Sequence, residues 1–396
     1  MIVRPRIKGF VCITSHPSGC LENVRDQVNF SKERQVSIEN RPKRALIIGS
    51  STGYGLASRV ACSFSAGAET LGVYFERAPK EGKLGSPGFY NTLAFDKFAR
   101  EAGIKSIGVN GDAFSDECKK EVVSKAHEMG GDFDLVIYSL ASPRRTDPLS
   151  GETHRACLKP IGAVYRNKTL DTDKELVKEM TIEPASPEEI ASTEKVMGGE
   201  DWQLWTELLL SENLLSRNCV NLAYSYIGPE VTRPIYRNGT IGKAKEHLEM
   251  SAERINKLMT ESIEGRAFVS VNKAVVTQAS SAIPVVPLYM SILFKVMREK
   301  GTHEGCIEQI CRLFQDRIYA PDRDVLVDDA NRIRLDDWEM EQSIQNRVIE
   351  LWPQVTSENL GELTDFKLYQ EEFLKLFGFG HPRVDYELDV DPMAGL

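Results

Sequence analysis

Ala45-Leu46-Ile47-Ile48-Gly49-Ser50-Ser51-Thr52-Gly53-Tyr54-Gly55 is the stretch on which the fold turns. Four apolar residues, preceded by the breakers Arg41-Pro42-Lys43-Arg44 and closed by glycine, suit a buried parallel strand. A helical pattern over residues 56–66 follows the glycines. Strand, glycine turn and helix together form the setting in which backbone N–H groups at a helix N-terminus hold a dinucleotide pyrophosphate. Glycine permits positive φ and lets the backbone approach a phosphate closely. The spacing is GxxxGxG rather than GxGxxG, and strand–turn–helix units also need glycine for packing alone. The loop therefore has two readings, cofactor cradle or plain packing turn.

Outward from this loop, strands and helices alternate. Strands are expected over 70–75, 106–109 and 134–139, with helices over 89–102 and 116–129. That alternation predicts an α/β fold with a doubly wound parallel sheet. Upstream, residues 1–40 read as an N-terminal arm with a strand over 7–14 and a short helix over 20–30. Downstream, 143–187 is polar and turn-rich. It reads as an insertion with a few strands near the sheet's C-terminal edge. Helix is expected over 187–215, strand over 220–227, helix over 240–262 and strand over 267–271. Helices then dominate to 376, with a strand pair near Val325 and Ile333, and the tail from 378 to 396 reads as loop. The expected organisation is an arm (1–40), a nucleotide-binding catalytic domain (41–300) and a mostly helical extension (301–396) on the same core.

Composition narrows the function. The chain has 396 residues, 27% charged and 41% hydrophobic, with net charge -9. This is length for two domains or one enlarged one. No run approaches the ~20 apolar residues of a membrane helix. The most apolar stretch, 283–293, is short and carries Pro284 and Pro287. An acidic chain without a basic tract argues against nucleic-acid binding. The first residues lack an apolar signal-peptide core. The eight cysteines are scattered, without a CxxC pair, and read as reduced thiols of a cytoplasmic protein. His303, Cys306 and Cys311 lie close together without a fourth ligand, so no metal is expected.

Several residues could carry chemistry. Glu76 closes the second strand about twenty residues after Gly55, where an acid accepts ribose hydroxyls and repels the extra phosphate of NADP. Arg77 beside it weakens that repulsion, and a solvated strand end is the bland alternative. Asp112-Ala113 follows the third strand, where an adenine would lie. Tyr138 to Ser142 ends the fourth. All lie along one carboxyl edge, where such folds bind ligands. A second group is Tyr226, Tyr236 and Lys245. A nearby ammonium would lower a tyrosine pKa and make it a better acid. Nine steps on one helix would separate Tyr236 and Lys245 by about 13 Å. Pro234, Gly239 and Gly242 instead suggest that Tyr236 sits in a loop, Thr240 caps the helix and Lys245 lies in its early turns. Domain-edge packing is the plain alternative for each tyrosine. The third group is Val271 to Pro284, small and polar, whose backbone could hold a carboxamide. In the helix from Pro287, Leu288, Tyr289, Met290 and Leu293 read equally well as an acyl-pocket wall or as core.

With these motifs the chain resembles the trans-2-enoyl-CoA reductase family, which includes the FabV-type enoyl-ACP reductases. The resemblance runs from Met1-Ile2-Val3 to about Gly378. It rests on Tyr224-Ser225-Tyr226-Ile227-Gly228, Tyr236-x8-Lys245, Met197-Gly198-Gly199-Glu200-Asp201-Trp202 and Phe268 to Ala274. Ordinary short-chain dehydrogenases are shorter and use Tyr-x3-Lys. The resemblance implies an enlarged, short-chain-dehydrogenase-like Rossmann fold with insertions. It implies NADH-dependent reduction of the 2,3 double bond of an enoyl thioester. Tyr236 would donate the proton, Tyr226 and Thr277 would bind substrate, and Lys245 would hold the cofactor ribose. Gly49, Ser50, Ser51, Thr52, Gly53, Tyr54, Phe75, Glu76, Asp112, Ala113, Leu140, Ala141, Ala274, Val275 and Val276 would contact the cofactor. The arm would lie near the substrate loop. Family members are often monomeric. The substrate partner would be enoyl-CoA or enoyl-acyl-carrier protein, with Arg144-Arg145, Arg4, Arg6 and Lys8 as candidate anchors. A carbonyl reductase or alcohol dehydrogenase on the same fold, and a non-catalytic NADH sensor, are the competing functions.

Overall fold

A computed structural model describes residues 1–37, 41–321 and 324–393. The ends of the expected arm (38–40) and tail (394–396) lie outside the described residues. The arm opens with β1 (Ile7–Lys8) and β2 (Val11–Cys12), followed by α1 (Pro17–Lys32). The single strand expected over 7–14 is thus a small hairpin. Gly9 at φ +60 reverses the chain between its arms.

The alternating region follows as β3 (Arg44–Ile48), α2 (Gly53–Phe64), β4 (Glu69–Tyr74), α3 (Pro87–Glu101), β5 (Ser106–Asn110), α4 (Asp116–Met129) and β6 (Phe133–Tyr138). The insertion forms two antiparallel hairpins, β7 (Arg144–Thr146) with β8 (Thr153–Arg155) and β9 (Tyr165–Asp171) with β10 (Leu176–Ile182). The helix expected over 187–215 is two helices, α5 (Pro187–Met197) and α6 (Glu200–Ser211). Gly198-Gly199 breaks it because the joint presses on a later helix: a Cβ on Gly199 would lie 2.3 Å from the Ser251 Cβ.

Then come β11 (Leu215–Ser225), α7 (Thr240–Ile263), β12 (Arg266–Val271), the short α8 (Gln278–Ser281), α9 (Val286–Lys300) and α10 (Cys306–Arg312). A π-helical turn extends α10 over Leu313–Ile318. The chain finishes with β13 (Arg332–Arg334), α11 (Gln342–Leu351), α12 (Leu360–Leu363) and α13 (Phe366–Lys375). The expected strand pair near Val325 and Ile333 is a single strand. β13 pairs with β12, and Val325 lies in irregular backbone with its side chain against the core.

Seven strands form one parallel sheet in the order β13-β12-β11-β6-β3-β4-β5. The chain reverses direction of growth between β3 and β6, the switch point where doubly wound sheets open a crevice. Ile47, Leu135, Ile137 and Phe268 face one side of the sheet, with α1, α2 and α10. Leu46, Ile48, Val136 and Val269 face the other, with α4, α6 and α7. A third apolar cluster joins α9 to α11 and α13. Leu288, Tyr289, Met290 and Leu293 all belong to it and are fully buried, so that helix face is core rather than pocket wall. Among the described residues no helix is long and apolar enough to cross a membrane.

Candidate active site

The glycine loop leaves β3 at the switch point. Gly49 and Ser50 donate their N–H groups to the Val73 carbonyl (2.9 Å each), which turns the chain over β4. Gly49 has φ +91, and a Cβ there would meet the Ser139 carbonyl at 2.1 Å. A Cβ on Gly55 would lie 1.8 Å from the Gly49 carbonyl. Both glycines are therefore demanded by close backbone approach. Thr52 precedes α2 without capping it by its side chain, so first-turn N–H groups remain free for an anionic ligand. A phosphate would fit against such groups.

Sixteen of the expected positions share one cleft with Gly49: Ser51, Thr52, Gly53, Tyr54, Phe75, Glu76, Asp112, Ala113, Leu140, Ala141, Tyr226, Tyr236, Lys245, Ala274, Val275 and Thr277. Its volume is about 460 Å³, within the range of ligand pockets. Two expected positions do not line it. Ser50 is buried beneath the loop, its hydroxyl donating to the Val73 carbonyl at 3.1 Å. Val276 points into a neighbouring cavity, where α1 faces Gln278.

Glu76 is held in place from three sides. Ser51 Oγ donates to one carboxylate oxygen at 2.6 Å and Ser86 Oγ donates to the other. Asn110 brackets its backbone, accepting from the Glu76 N–H and donating to its carbonyl, 2.9 Å each. Gly88 leaves the room, since a Cβ there would meet Glu76 Oε1 at 2.0 Å. Ser86, Gly88 and Asn110 escaped the sequence reading because their link to Glu76 is made across neighbouring strands and loops.

Tyr236 lies in the turn before α7 and Lys245 in that helix's second turn, as the spacing requires. The turn folds back tightly: Gly242 donates to the Tyr236 carbonyl at 3.0 Å, and a Cβ on it would lie 1.8 Å from the Arg237 carbonyl. Thr240 is not the cap. Its hydroxyl donates to Cys157 of the insertion at 2.6 Å, and Gly239 holds the N-cap position. The rings of Tyr226 and Tyr236 meet edge to face at 5.0 Å.

The expected lowering of the Tyr236 pKa by Lys245 is not found. Burial pushes the Tyr236 hydroxyl up, with no charged neighbour opposing it. Lys245 Nζ instead donates to the Tyr224 carbonyl at 3.2 Å. Burial pushes its ammonium down to about 8, with Glu249 opposing. Tyr236 is thus a neutral hydroxyl at physiological pH, suited to donate a hydrogen bond to developing negative charge.

Tyr54 and Thr277 tie the two walls together. The Tyr54 hydroxyl donates to the Lys273 carbonyl at 2.7 Å. Thr277 caps α8, accepting from Ser280 N–H at 3.0 Å, while its methyl faces Gly53. Glu339, absent from the sequence reading, reaches this wall from beyond β13 and accepts from the Ala274 N–H at 2.7 Å. Among the candidate anchors, Arg145 is buried and paired with Glu200 at 2.7 Å, so it is not available to a ligand. Arg4 pairs with Glu387. Arg144 stays exposed beside the cleft residue Pro143.

The family comparisons match this architecture along the chain. The NAD(P)H binding domain of trans-2-enoyl-CoA reductase matches residues 2–81, and the trans-2-enoyl-CoA reductase catalytic region matches 83–319. A domain described as the enoyl reductase FAD binding domain matches 327–390. An enoyl-[acyl-carrier-protein] reductase [NADH] of Opitutus terrae is 55% identical over 99% of both chains. Its counterpart from Cytophaga hutchinsonii is 52% identical over 99% of this chain and 98% of its own. The crystal structure of Treponema denticola trans-2-enoyl-CoA reductase in complex with NAD superposes with a TM-score of 0.95, at 51% identity and 98% coverage of each chain.

Residues 327–390 do not fit a flavin. β13 is followed by no glycine turn at a helix start, and Ile344, Val348, Phe366 and Phe373 are committed to the core. Among the described residues, the cavity this segment borders has four carboxylates, Asp26, Glu304, Glu308 and Glu372, against the single ammonium of Lys375, which is itself paired with Glu372, so it offers a flavin's phosphates no free cation. The glycine loop, by contrast, fits a nicotinamide dinucleotide. By sequence and fold alike, the chain belongs to the trans-2-enoyl-CoA reductase family.

Proposed function

We propose that this chain reduces the 2,3 double bond of trans-2-enoyl thioesters with NADH, giving saturated acyl thioesters in fatty acid biosynthesis or metabolism. The observation that carries this reading is the meeting of Tyr236, Tyr226 and Lys245 with the glycine loop in one cleft. Bound NADH supplies the hydride, which goes to the β-carbon of the substrate. Negative charge then develops on the thioester oxygen, and the neutral Tyr236 hydroxyl is the donor that meets it. The same hydroxyl delivers the proton that completes reduction at the α-carbon, and solvent reprotonates Tyr236. Tyr226 and Thr277 hold the substrate against the cofactor wall formed by Ala274 and Val275. Lys245 holds the ribose on the nicotinamide side.

Glu76 reads the other ribose. A carboxylate offers about four acceptor positions, and two are taken by Ser51 and Ser86, leaving the rest for ribose hydroxyls. A hydrogen bond to a charged group contributes about 1.5–3 kcal/mol. Glu76→Ala is therefore expected to reduce the NADH-over-NADPH preference in kcat/KM by about tenfold or more. An unchanged ratio would remove Glu76 from the ribose.

The Lys245 ammonium gives a pH signature. It carries its charge below about 8 and loses it as pH rises. An anionic dinucleotide favours the charged form, so NADH affinity should be full below that value and weaken above it. NADH fluorescence titration across this range should show the fall in the wild type and a flatter, weaker profile in Lys245→Met. Identical profiles would mean that Lys245 does not sense the cofactor.

We assign residues 41–300 to the catalytic domain, with the arm (1–40) and the extension (301–396) packed on it. Val24, Ile47 and Phe314, one from each part, share an apolar cluster. The chain acts as a monomer in the cytoplasm. The cytoplasmic assignment is supported by eight unbridged cysteines. The primary test is NADH oxidation with crotonyl-CoA, a longer enoyl-CoA and the matching enoyl-acyl-carrier protein. Faster turnover of the long enoyl-acyl-carrier protein places the enzyme in fatty acid synthesis, and turnover of crotonyl-CoA alone places it in short-chain acyl-CoA metabolism. Silence with all three despite NADH binding would favour a sensor.

A further inference from the structure

Glu339 is fully buried, 113 residues from Tyr226 in sequence, and belongs to none of the chemistry described so far. Its carboxyl group takes three hydrogen bonds. Oε1 meets the hydroxyls of Tyr226 at 3.0 Å and Tyr289 at 2.6 Å. Oε2 meets the Ala274 N–H at 2.7 Å. Each tyrosine has a single hydroxyl proton, so the direction of each bond can be worked out.

Gln345 fixes the first direction. Its Nε2 donates to the Glu339 backbone carbonyl at 2.7 Å, which settles which end of the amide is nitrogen. The same Nε2 lies 3.2 Å from the Tyr289 oxygen and donates to it. Tyr289 therefore accepts from Gln345 and sends its own proton to Glu339 Oε1. Oε2 faces an N–H and must accept. A proton on Glu339 can thus sit only on Oε1, where its single open partner is the Tyr226 oxygen. With Glu339 ionised, Tyr226 sends its proton inward to Oε1 and shows the cleft only lone pairs. With Glu339 protonated, Tyr226 accepts from Oε1 and its own proton is released toward the cleft.

We propose that Glu339 is a positioning residue that sets the direction of the Tyr226 hydroxyl, making Tyr226 a hydrogen-bond donor to the substrate oxygen when Glu339 is neutral and an acceptor when it is ionised. This rests on the enoyl-thioester reductase reading of the same cleft. Burial favours the neutral acid, pushing the Glu339 carboxyl up. The groups around it act in both directions. The fully buried Lys273 favours the carboxylate, as do the Tyr289 hydroxyl and the Ala274 N–H, while Asp336, itself paired with Arg334, disfavours it. Tyr226 and Tyr289 stay neutral, burial and Glu339 both raising them. The Tyr226 O–H that turns toward the cleft when Glu339 is neutral is the second donor beside Tyr236.

The test is the pH dependence of kcat with an enoyl thioester at saturating NADH, which removes the contribution of Lys245 to cofactor binding. In the wild type, kcat should fall with rising pH by about tenfold as Glu339 ionises, less than the 10²–10³ of a sole oxyanion donor because Tyr236 remains. Glu339→Gln cannot ionise: its oxygen accepts from Ala274, and its amide nitrogen donates one N–H to Tyr226 and the other to Tyr289, which must then turn its own proton elsewhere. That variant should lose the alkaline fall in kcat. Tyr226→Phe removes the hydroxyl being steered and should lose it too, whether or not Glu339→Gln folds well. A merely structural Glu339 would shift the melting temperature and leave the fall in place. The proposal is overturned by a wild-type profile without the fall, or by a fall that persists in either variant. Absence of any wild-type turnover would instead sink the reductase reading itself.

Discussion

Tyr236→Phe is expected to lower kcat by about 10²–10³, the cost of removing one preorganised donor to an oxyanion. NADH affinity should stay within about twofold, since the residues that cradle the cofactor keep their places. The substitution is well suited to the question. Tyr236 is 7% exposed, and its hydroxyl is held neutral by burial alone. Removing it leaves no described partner stranded, and the edge-to-face contact with Tyr226 survives in Phe. Loss of turnover would therefore report chemistry rather than unfolding. Tyr226 cannot fully take over, because its proton faces the cleft only while Glu339, 3.0 Å away, is neutral. Stopped-flow measurement of NADH oxidation beside an NADH binding titration separates the two quantities. Turnover near that of the wild type would transfer the donor role away from Tyr236.

The parts of this site that were legible in the sequence are those written in local signals. The run 45–55 announces strand, turn and helix by composition alone, and Glu76 follows from its position at the next strand end. Even the Tyr236–Lys245 spacing could be resolved, because Pro234, Gly239 and Gly242 exclude a continuous helix. What was not legible depends on contacts across the fold. Lys245 was expected to acidify Tyr236, but its ammonium is drawn to the Tyr224 carbonyl, and the phenol keeps only the penalty of burial. Thr240 has a capping side chain in the right place, but the insertion supplies a nearer partner in Cys157. Leu288, Tyr289, Met290 and Leu293 are apolar enough for a pocket or a core, and only their packing against α11 and α13 decides. Glu339 carries no local signal because its three partners come from β11's end, β12's end and α9.

Asp201→Ala is expected to destabilise the protein by about 3–5 kcal/mol, the cost of leaving a buried charge without its partner. The residue belongs to the Met197–Trp202 motif, and the structure shows what that motif does. Asp201 is 2% exposed and lies beneath the sheet edge rather than in the cleft. One oxygen accepts from Lys119 Nζ at 2.7 Å and the other from the Tyr138 hydroxyl at 3.0 Å. Lys119 also donates to the Phe114 carbonyl at 3.2 Å, and Trp205 Nε1 donates to the Ala113 carbonyl at 3.1 Å. Together α4, β6 and α6 fix the loop after β5 that carries Asp112 and Ala113. Truncation would strand the Lys119 ammonium and the Tyr138 hydroxyl in the interior. Denaturant melts should show a lower midpoint with an unchanged slope, and KM for NADH should rise more than kcat falls. Replacing both charges by apolar residues, Asp201→Leu with Lys119→Met, should recover much of the loss, since buried ion pairs are often matched by packed hydrophobic groups. A double-mutant cycle isolates that coupling. A loss below about 1 kcal/mol for Asp201→Ala would mean that the pair behaves as a solvated surface bridge, and the motif would then need a role in the cleft that its position does not suggest.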